Sequence, residues 1–391
     1  MITFCAPNRI ETGYGAVNKL GELIKSLNGA KALVVMDAFL AAPAIGLSAK
    51  MEEIGDKAGI AMAIYNGIAS EPSSVNVAEG LEIARRTECD CVVAVGGGSA
   101  IDVAKAISVL AVNPDLAFCD IPKQASLKRL SLIAMPTTAG TGSEATRVSV
   151  ITNAVTGIKE NPGHWGMVPD IAVLDAELML TLPPNLTAFT GMDALTHAME
   201  AYVSSKANAL TDLYALASME IISQALPAVV RDGTDRDARE QMALASCWAG
   251  IAFSNSSTNL AHAGGRALGA YFHVPHGLSV ALLLPFVMEF GLEAAEDRYA
   301  RVAIALGADP HLKQQELAHK AVEMVYGYND AFGVWAEAGN KYIRDLAAYR
   351  RAIPEISGNA LAGNGIATNR RIPDEKDVAR ILEQLADKLE T

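Results

Sequence analysis

The chain has 391 residues, 51% of them hydrophobic, and a formal net charge of −12. That length exceeds one ordinary hydrophobic core, so two domains are expected. The lack of a basic run or aromatic-basic stripe argues against nucleic acid and anionic membrane surfaces as partners.

The opening MITFCAPNRIETGYG has no charged region ahead of an apolar core, so no signal peptide is expected there. No uninterrupted apolar run approaches the roughly 20 residues a membrane helix needs. Cys5, Cys89, Cys91, Cys119 and Cys247 lack CxxC spacing, which fits a reduced, cytoplasmic setting better than a disulfide frame or zinc knuckle.

Five short apolar runs in the first half read as buried strands: KALVVMD (31–37), AMAIY (61–65), CDCVVAV (89–95), SLIAM (131–135) and IAVLD (171–175). Amphipathic stretches at 74–86 and 100–112 lie between them, so the expected unit is a parallel sheet with flanking helices. Ligands of such sheets sit beyond the strand C-termini. Asp37 ends the first run, where an acid can accept from a ribose 2′-OH and repel a 2′-phosphate, favouring NAD over NADP. The plainer reading of Asp37 is a turn residue.

In VVAVGGGSAIDVAK (92–105), a strand meets a glycine turn and a helix start. Gly96, Gly97 and Gly98 let the backbone approach a ligand closely, and the helix N–H groups suit a pyrophosphate. Ser99 reads as an N-cap and Asp102 as a first-turn acid. The motif is neither GxGxxG nor a Walker A, and an ordinary tight loop explains it about as well. A second turn, MPTTAGTGSEATR (135–147), offers the hydroxyls of Thr137, Thr138 and Thr141 beside Gly140 and Gly142.

Two prolines in TLPPNLTA (181–188) break the chain. Few strand signals lie beyond, and the stretches 210–230, 239–253, 279–292 and 375–390 have helical periodicity. The expected division is a 1–182 α/β domain and a 183–391 all-α domain; the stretch 327–368 carries no clear pattern.

GMDALTHAMEAY (191–202) sets Asp193 and His197 four residues apart on one helix face. Such a pair can grip an ion, or simply hydrogen-bond internally. Further on, NLAHAGGRALGAYFHVPHGLSVALLLP (259–285) holds His262, His273 and His276. A helix bearing His262, then a turn, then His276 lets two imidazoles converge. Three histidines and a carboxylate suit Fe²⁺ or Zn²⁺.

Four motifs, GGGSAIDVAK, PTTAGTGSEATR, TGMDALTHAMEAY and PHGLSVALLLP, resemble those of the iron-containing (group III) alcohol dehydrogenase family, in the family's order. The resemblance runs from about residue 5 to about 300 and returns faintly at 366–382. It implies an N-terminal dinucleotide-binding domain and a helical C-terminal domain of dehydroquinate-synthase-like architecture. It also implies hydride transfer between a short-chain alcohol and NAD⁺, and assembly as a homodimer or larger homo-oligomer. By position, it assigns Asp193, His197, His262 and His276 to a metal. Gly97, Gly98, Ser99, Thr138, Thr141 and Lys159 fall to the cofactor.

Two departures stand out. Many members carry a histidine four residues after the third ligand, where this chain has Arg266. On the helix face of His262, that guanidinium is suited to a carboxylate, phosphonate or sulfonate on the substrate, or else to a protein carboxylate. Proton transfer then lacks its usual histidine, and His273 is the candidate replacement. The second departure is SEPS (70–73), where relatives often have Asn-Pro-Thr; it puts Glu71 near the cofactor edge. The competing functions are a metal- and NAD-dependent lyase on the same scaffold and a non-catalytic binding protein.

Overall fold

The computed structural model describes residues 2–69 and 71–390. The chain divides into two compact units, Cys5–Thr181 and Leu182–Thr391, the second joined by Met1–Phe4.

In the α/β unit the apolar runs become parallel strands. In chain order it holds β1 (Arg9–Thr12), α1 (Leu20–Ser26), β2 (Lys31–Asp37), α2 (Leu47–Ala58), β3 (Ala61–Ile68), α3 (Ser74–Arg86), β4 (Cys91–Gly96), α4 (Gly98–Leu110) and β5 (Ser131–Pro136). A short antiparallel pair follows, β6 (Ile151–Thr152) and β7 (Lys159–Glu160), then β8 (Ile171–Leu174). The main sheet runs β1-β8-β5-β4-β2-β3, every pairing parallel.

The central strands are buried on both faces, which is why they read as continuous apolar runs rather than alternating ones. Val34, Met36, Val93 and Val95 pack to one side with Leu20, Ile24 and Met51. Leu33, Val35, Val92 and Ala94 pack to the other with Val77, Ile101 and Ile107. Each of the valine, leucine, isoleucine and methionine side chains, fully buried, contributes about 1.5–3 kcal/mol.

The strand order has a consequence for binding. From β2 the chain moves outward to β3, whereas from β4 it moves the opposite way to β5. The order therefore reverses between β2 and β4, and open parallel sheets bind ligands beyond the strand ends at such a point. Asp37 ends β2 and Gly96 ends β4.

The second unit is helical: α5 (Pro184–Val203), α6 (Ala209–Arg231), α7 (Arg236–Ser254), α8 (Leu260–Phe272), α9 (His276–Gly291), α10 (Glu296–Ala305), α11 (Gln314–Ala331), α12 (Val334–Glu337), α13 (Leu346–Leu361) and α14 (Glu375–Glu390). Pro184 opens α5 in the first turn, where a missing N–H costs nothing. From Thr187 onward nearly every α5 side chain is buried, packed against α6, α7 and α9. Such a central helix can deliver polar groups to the interior of its unit. The stretch without clear pattern resolves into the end of α11, α12, a π-helical turn over Ala338–Tyr342, and α13.

Among the described residues, two helical segments are long and apolar enough to cross a membrane, Ala209–Arg231 and His276–Ala294. The second is 72% buried within the protein, as a core helix is, and α6 packs along α5 and α7.

Candidate metal centre and nucleotide-binding turns

The glycine turn is built around Asp37. The Gly97 N–H donates to Asp37 Oδ2 at 2.8 Å, and a Cβ on Gly96 would collide with that same oxygen and with Ala100. Glycine is thus required at 96 by close approach. Burial raises the Asp37 pKa, opposed by the Gly97 hydrogen bond. The second turn reaches the first across adjacent strands: Thr137 N donates to Gly96 O, and Thr141 lies against the space where a Gly98 Cβ would stand. Thr138 Oγ1 is buried without a hydrogen-bond partner, as befits a hydroxyl reserved for a ligand.

Two expectations need correction. Helix α4 begins at Gly98 with Gly97 as its N-cap, so Ser99 lies inside the first turn and is not the cap. Extended backbone at Gly97 supplies the turn that a capping serine would otherwise make. Asp102 falls past the first turn and is engaged within the protein, accepting from Ser143 Oγ at 2.6 Å and Val150 N at 2.8 Å. It faces the buried Lys105, whose ammonium donates to Ser143 Oγ, Thr146 Oγ1 and Val148 O. Burial pulls Lys105 down to about 8, against the pull of Asp102 and Glu144. Asp102 thus fastens α4 to the loop after β5. Lys159 donates to Glu71 at 2.6 Å; Ser70 lies outside the described residues.

In the helical unit, one buried carboxylate oxygen is the hub of a polar set in which Asp193, His197 and His262 are buried and His276 is exposed. Asp193 Oδ1 lies 3.4 Å from His262 Nε2, 3.7 Å from His276 Nε2 and 3.9 Å from His197 Nδ1. Ligand atoms of Asp193, His262 and His276 all fall within 4.8 Å of one another. His197 lies alongside, its ring stacked between His262 (4.3 Å) and Phe253 (4.2 Å). Helix α5 supplies Asp193 and His197, α8 supplies His262, and His276 is the first residue of α9 after Pro275.

Asp193 Oδ1 and His262 Nε2 are both buried with no hydrogen-bond partner. Leaving such atoms unsatisfied costs about 1–3 kcal/mol each, and a divalent ion satisfies both at once. Burial opposes charge on Asp193, yet His197, His276 and His262 hold its carboxyl far below the usual carboxylate range. The donor set of one carboxylate and imidazoles fits Fe²⁺ or Zn²⁺.

One residue of this region carried no signal of its own in the sequence. Glu200, 2% exposed, accepts from His262 Nδ1 at 2.6 Å and from the backbone N–H groups of Asn259 and Ala261. Its position seven residues after Asp193 on the same helix was the available clue.

Arg266, one turn after His262, is half-buried. Its Nη2 donates to Asn364 O at 3.0 Å, and burial lowers its pKa, with Glu200 acting the other way. His273 caps α8 in a left-handed conformation, φ 55°, with its side chain exposed. Its ring atoms are not part of the Asp193, His262 and His276 cluster, and its exposure matches that of His276.

A parallel sheet with glycine turns, followed by a helical unit holding a carboxylate–imidazole set, is the build of a two-domain alcohol dehydrogenase. Comparison with known proteins makes this specific. Residues 7–176 match iron-containing alcohol dehydrogenase, and residues 187–386 match the C-terminal region of the same family. The NAD-dependent methanol dehydrogenase of Bacillus methanolicus is 35% identical over 389 residues, covering 98% of this chain and 99% of that one. The structure of an alcohol dehydrogenase from Oenococcus oeni superposes with a TM-score of 0.91 at 33% identity, over 98% of this chain and 100% of that one. Sulfoacetaldehyde reductase from Bifidobacterium kashiwanohense, in complex with NAD⁺, gives a TM-score of 0.85 at 26% identity over 99% of both chains. The chain belongs to the iron-containing alcohol dehydrogenase family. It is accordingly an oxidoreductase acting on CH–OH groups, and not a lyase or a non-catalytic binding protein.

Proposed function

We propose that this protein is an NAD-linked, iron-dependent alcohol dehydrogenase and aldehyde reductase. Its reaction is hydride transfer between the carbinol carbon of a short-chain alcohol and C4 of the nicotinamide, with loss of the hydroxyl proton. The single observation that carries the reading is the pair of buried, unpartnered atoms Asp193 Oδ1 and His262 Nε2. Asp193, His262 and His276 would hold the ion, with His197 completing the set. Bound there, Fe²⁺ supplies Lewis acidity toward the substrate oxygen, and the same ligands also accept Zn²⁺.

The chain's own residues do the rest. The glycine turn at 96–98 lets the cofactor pyrophosphate approach the N-terminal N–H groups and positive end of α4. The buried Thr138 hydroxyl, with Thr137 and Thr141 around it, lies at the same turn and can donate to the cofactor. Asp37, with Oδ2 engaged by Gly97, presents a carboxylate to the ribose and disfavours a 2′-phosphate, so NAD is preferred over NADP.

The substrate carries a negative group held by Arg266. Among the described residues Arg266 has no ion pair with a carboxylate, and its one hydrogen bond goes to a neutral carbonyl. A half-buried guanidinium without a direct ion pair is suited to bidentate capture of a carboxylate, phosphonate or sulfonate. The related sulfoacetaldehyde reductase bears a name consistent with an anionic aldehyde.

The test is NADH absorbance with purified, iron-reconstituted protein under a panel of neutral and anionic short aldehydes. NADH consumption that depends on both aldehyde and metal is expected. No oxidation with any aldehyde would reject the reading.

A further inference from the structure

We infer that Glu200 is the positioning residue of the metal centre, aiming His262 Nε2 at the ion and fixing its tautomer. The inference rests on the metal-centre reading above.

Asp193, His197 and Glu200 occupy positions i, i+4 and i+7 of α5, one face of that helix. The first two approach the centre as ligands; the third lies behind it. Glu200 Oε2 accepts from His262 Nδ1 at 2.6 Å and from Asn259 N at 2.8 Å, and Oε1 accepts from Ala261 N at 2.6 Å. Asn259 Nδ2 in turn donates to the Glu200 backbone carbonyl at 3.0 Å.

Two backbone N–H groups can only donate, so both carboxylate oxygens act as acceptors. The imidazole must then carry its hydrogen on Nδ1, leaving the Nε2 lone pair for the other side. Nε2 is the buried atom without a hydrogen bond, 3.4 Å from Asp193 Oδ1. Asn259, the N-cap of α8, makes no side-chain cap, so Glu200 also supplies the acceptors for that helix start from a neighbouring helix. One carboxylate thus sets the tautomer, the ring rotation and the helix on which the ring is mounted.

The competing role is a helix cap and nothing more. Asn369 separates the two, because its Oδ1 accepts from Leu260 N at the same helix start without touching His262. The experiment uses full-length protein stripped by a chelator. Zn²⁺ is titrated against a competing chromophoric chelator, and the visible absorption of the Co²⁺-loaded protein is recorded. Glu200→Gln should weaken Zn²⁺ binding about 10- to 100-fold and shift the Co²⁺ bands. Asn369→Ala should lower the melting temperature while leaving metal affinity and spectrum as in wild type. In a His262→Ala background, Glu200→Gln should add no further loss of affinity.

If Glu200→Gln does not fold, Glu200→Asp takes its place, keeping the charge while retracting it from His262; a loss in the same direction is expected. Wild-type affinity in the folded Glu200 variant overturns the inference and leaves the metal-centre reading standing. So does an equal loss in Asn369→Ala, or an undiminished loss in the His262→Ala background. Wild-type protein that takes up none of Zn²⁺, Co²⁺ or Fe²⁺ overturns both.

Discussion

Asp193 Oδ1 and His262 Nε2 lie 3.4 Å apart in the interior of the helical unit, and neither makes a hydrogen bond. A bound divalent ion would relieve the cost of leaving both atoms unsatisfied. Adding Zn²⁺ or Fe²⁺ to stripped protein should raise its stability, by about 2.7 kcal/mol at a free ion concentration of one hundred times Kd. Differential scanning fluorimetry measures the shift. Asp193→Asn should abolish it and, by removing the hub oxygen's charge, should abolish turnover as well. A metal-induced shift that survives Asp193→Asn would count against the site.

Asp37 and Gly96 make a second pair that can be tested. A methyl group on Gly96 would occupy the place of Asp37 Oδ2 and press on Ala100. Gly96→Ala should therefore displace the carboxylate and weaken NADH binding, read by nicotinamide fluorescence. Asp37→Ser removes the charge and keeps a hydrogen-bonding group. The ratio of kcat/KM for NADPH to that for NADH should rise by at least roughly tenfold, about 1.4 kcal/mol. An unchanged ratio would show that Asp37 serves only to hold the Gly97 turn.

The buried strands were legible because β2 and β4 bury both faces, so their sequences are uninterrupted apolar runs. Strand β1, Arg-Ile-Glu-Thr at the sheet edge, is polar and largely open, and nothing in its composition distinguishes it from a loop. The metal-ligand candidates were legible because histidine and aspartate are scarce in apolar helices and their spacing follows one helix face. Glu200 shares that face, but a lone glutamate in a helix is ordinary; its partners Asn259, Ala261 and His262 lie some sixty residues away. Ser99 was misread because the capping rule favours serine, whereas close approach at the glycine turn moved the helix start two residues earlier. The 327–368 stretch failed to show a period because Gly333, at φ 67°, and a π-helical turn interrupt it.

Lys105 and Asp102 are a buried pair fully tied into the loop after β5, Nζ to Oδ1 3.6 Å. Lys105→Met should cost about 3–5 kcal/mol by stranding Asp102, and the double variant Asp102→Asn/Lys105→Met should recover part of that. The pair also has a pH signature. Burial lowers Lys105 from 10.5 to about 8, so between these values the unfolded chain binds more protons than the folded one. Its contribution to stability is therefore fully present above 10.5 and is lost as pH falls through 8. Urea midpoints of wild type minus those of Lys105→Met should rise across that window. A flat difference would mean that Lys105 stays charged throughout.

Arg266 stands one turn after His262 with its Nη2 on the Asn364 carbonyl. If its role is to hold a substrate anion, Arg266→Ala should discriminate between substrates. Turnover of carboxylate, phosphonate or sulfonate aldehydes should fall about tenfold to a hundredfold in kcat/KM, the loss of a charge-assisted bond worth about 1.5–3 kcal/mol. Neutral aldehydes of the same length should change by less than about threefold, within the range of an ordinary packing defect. Arg266→Lys keeps the charge but lacks the fork geometry, and should recover only part of the loss. Equal losses for neutral and anionic aldehydes would instead assign Arg266 to holding the chain at Asn364, since α8 and that loop are what the observed hydrogen bond joins.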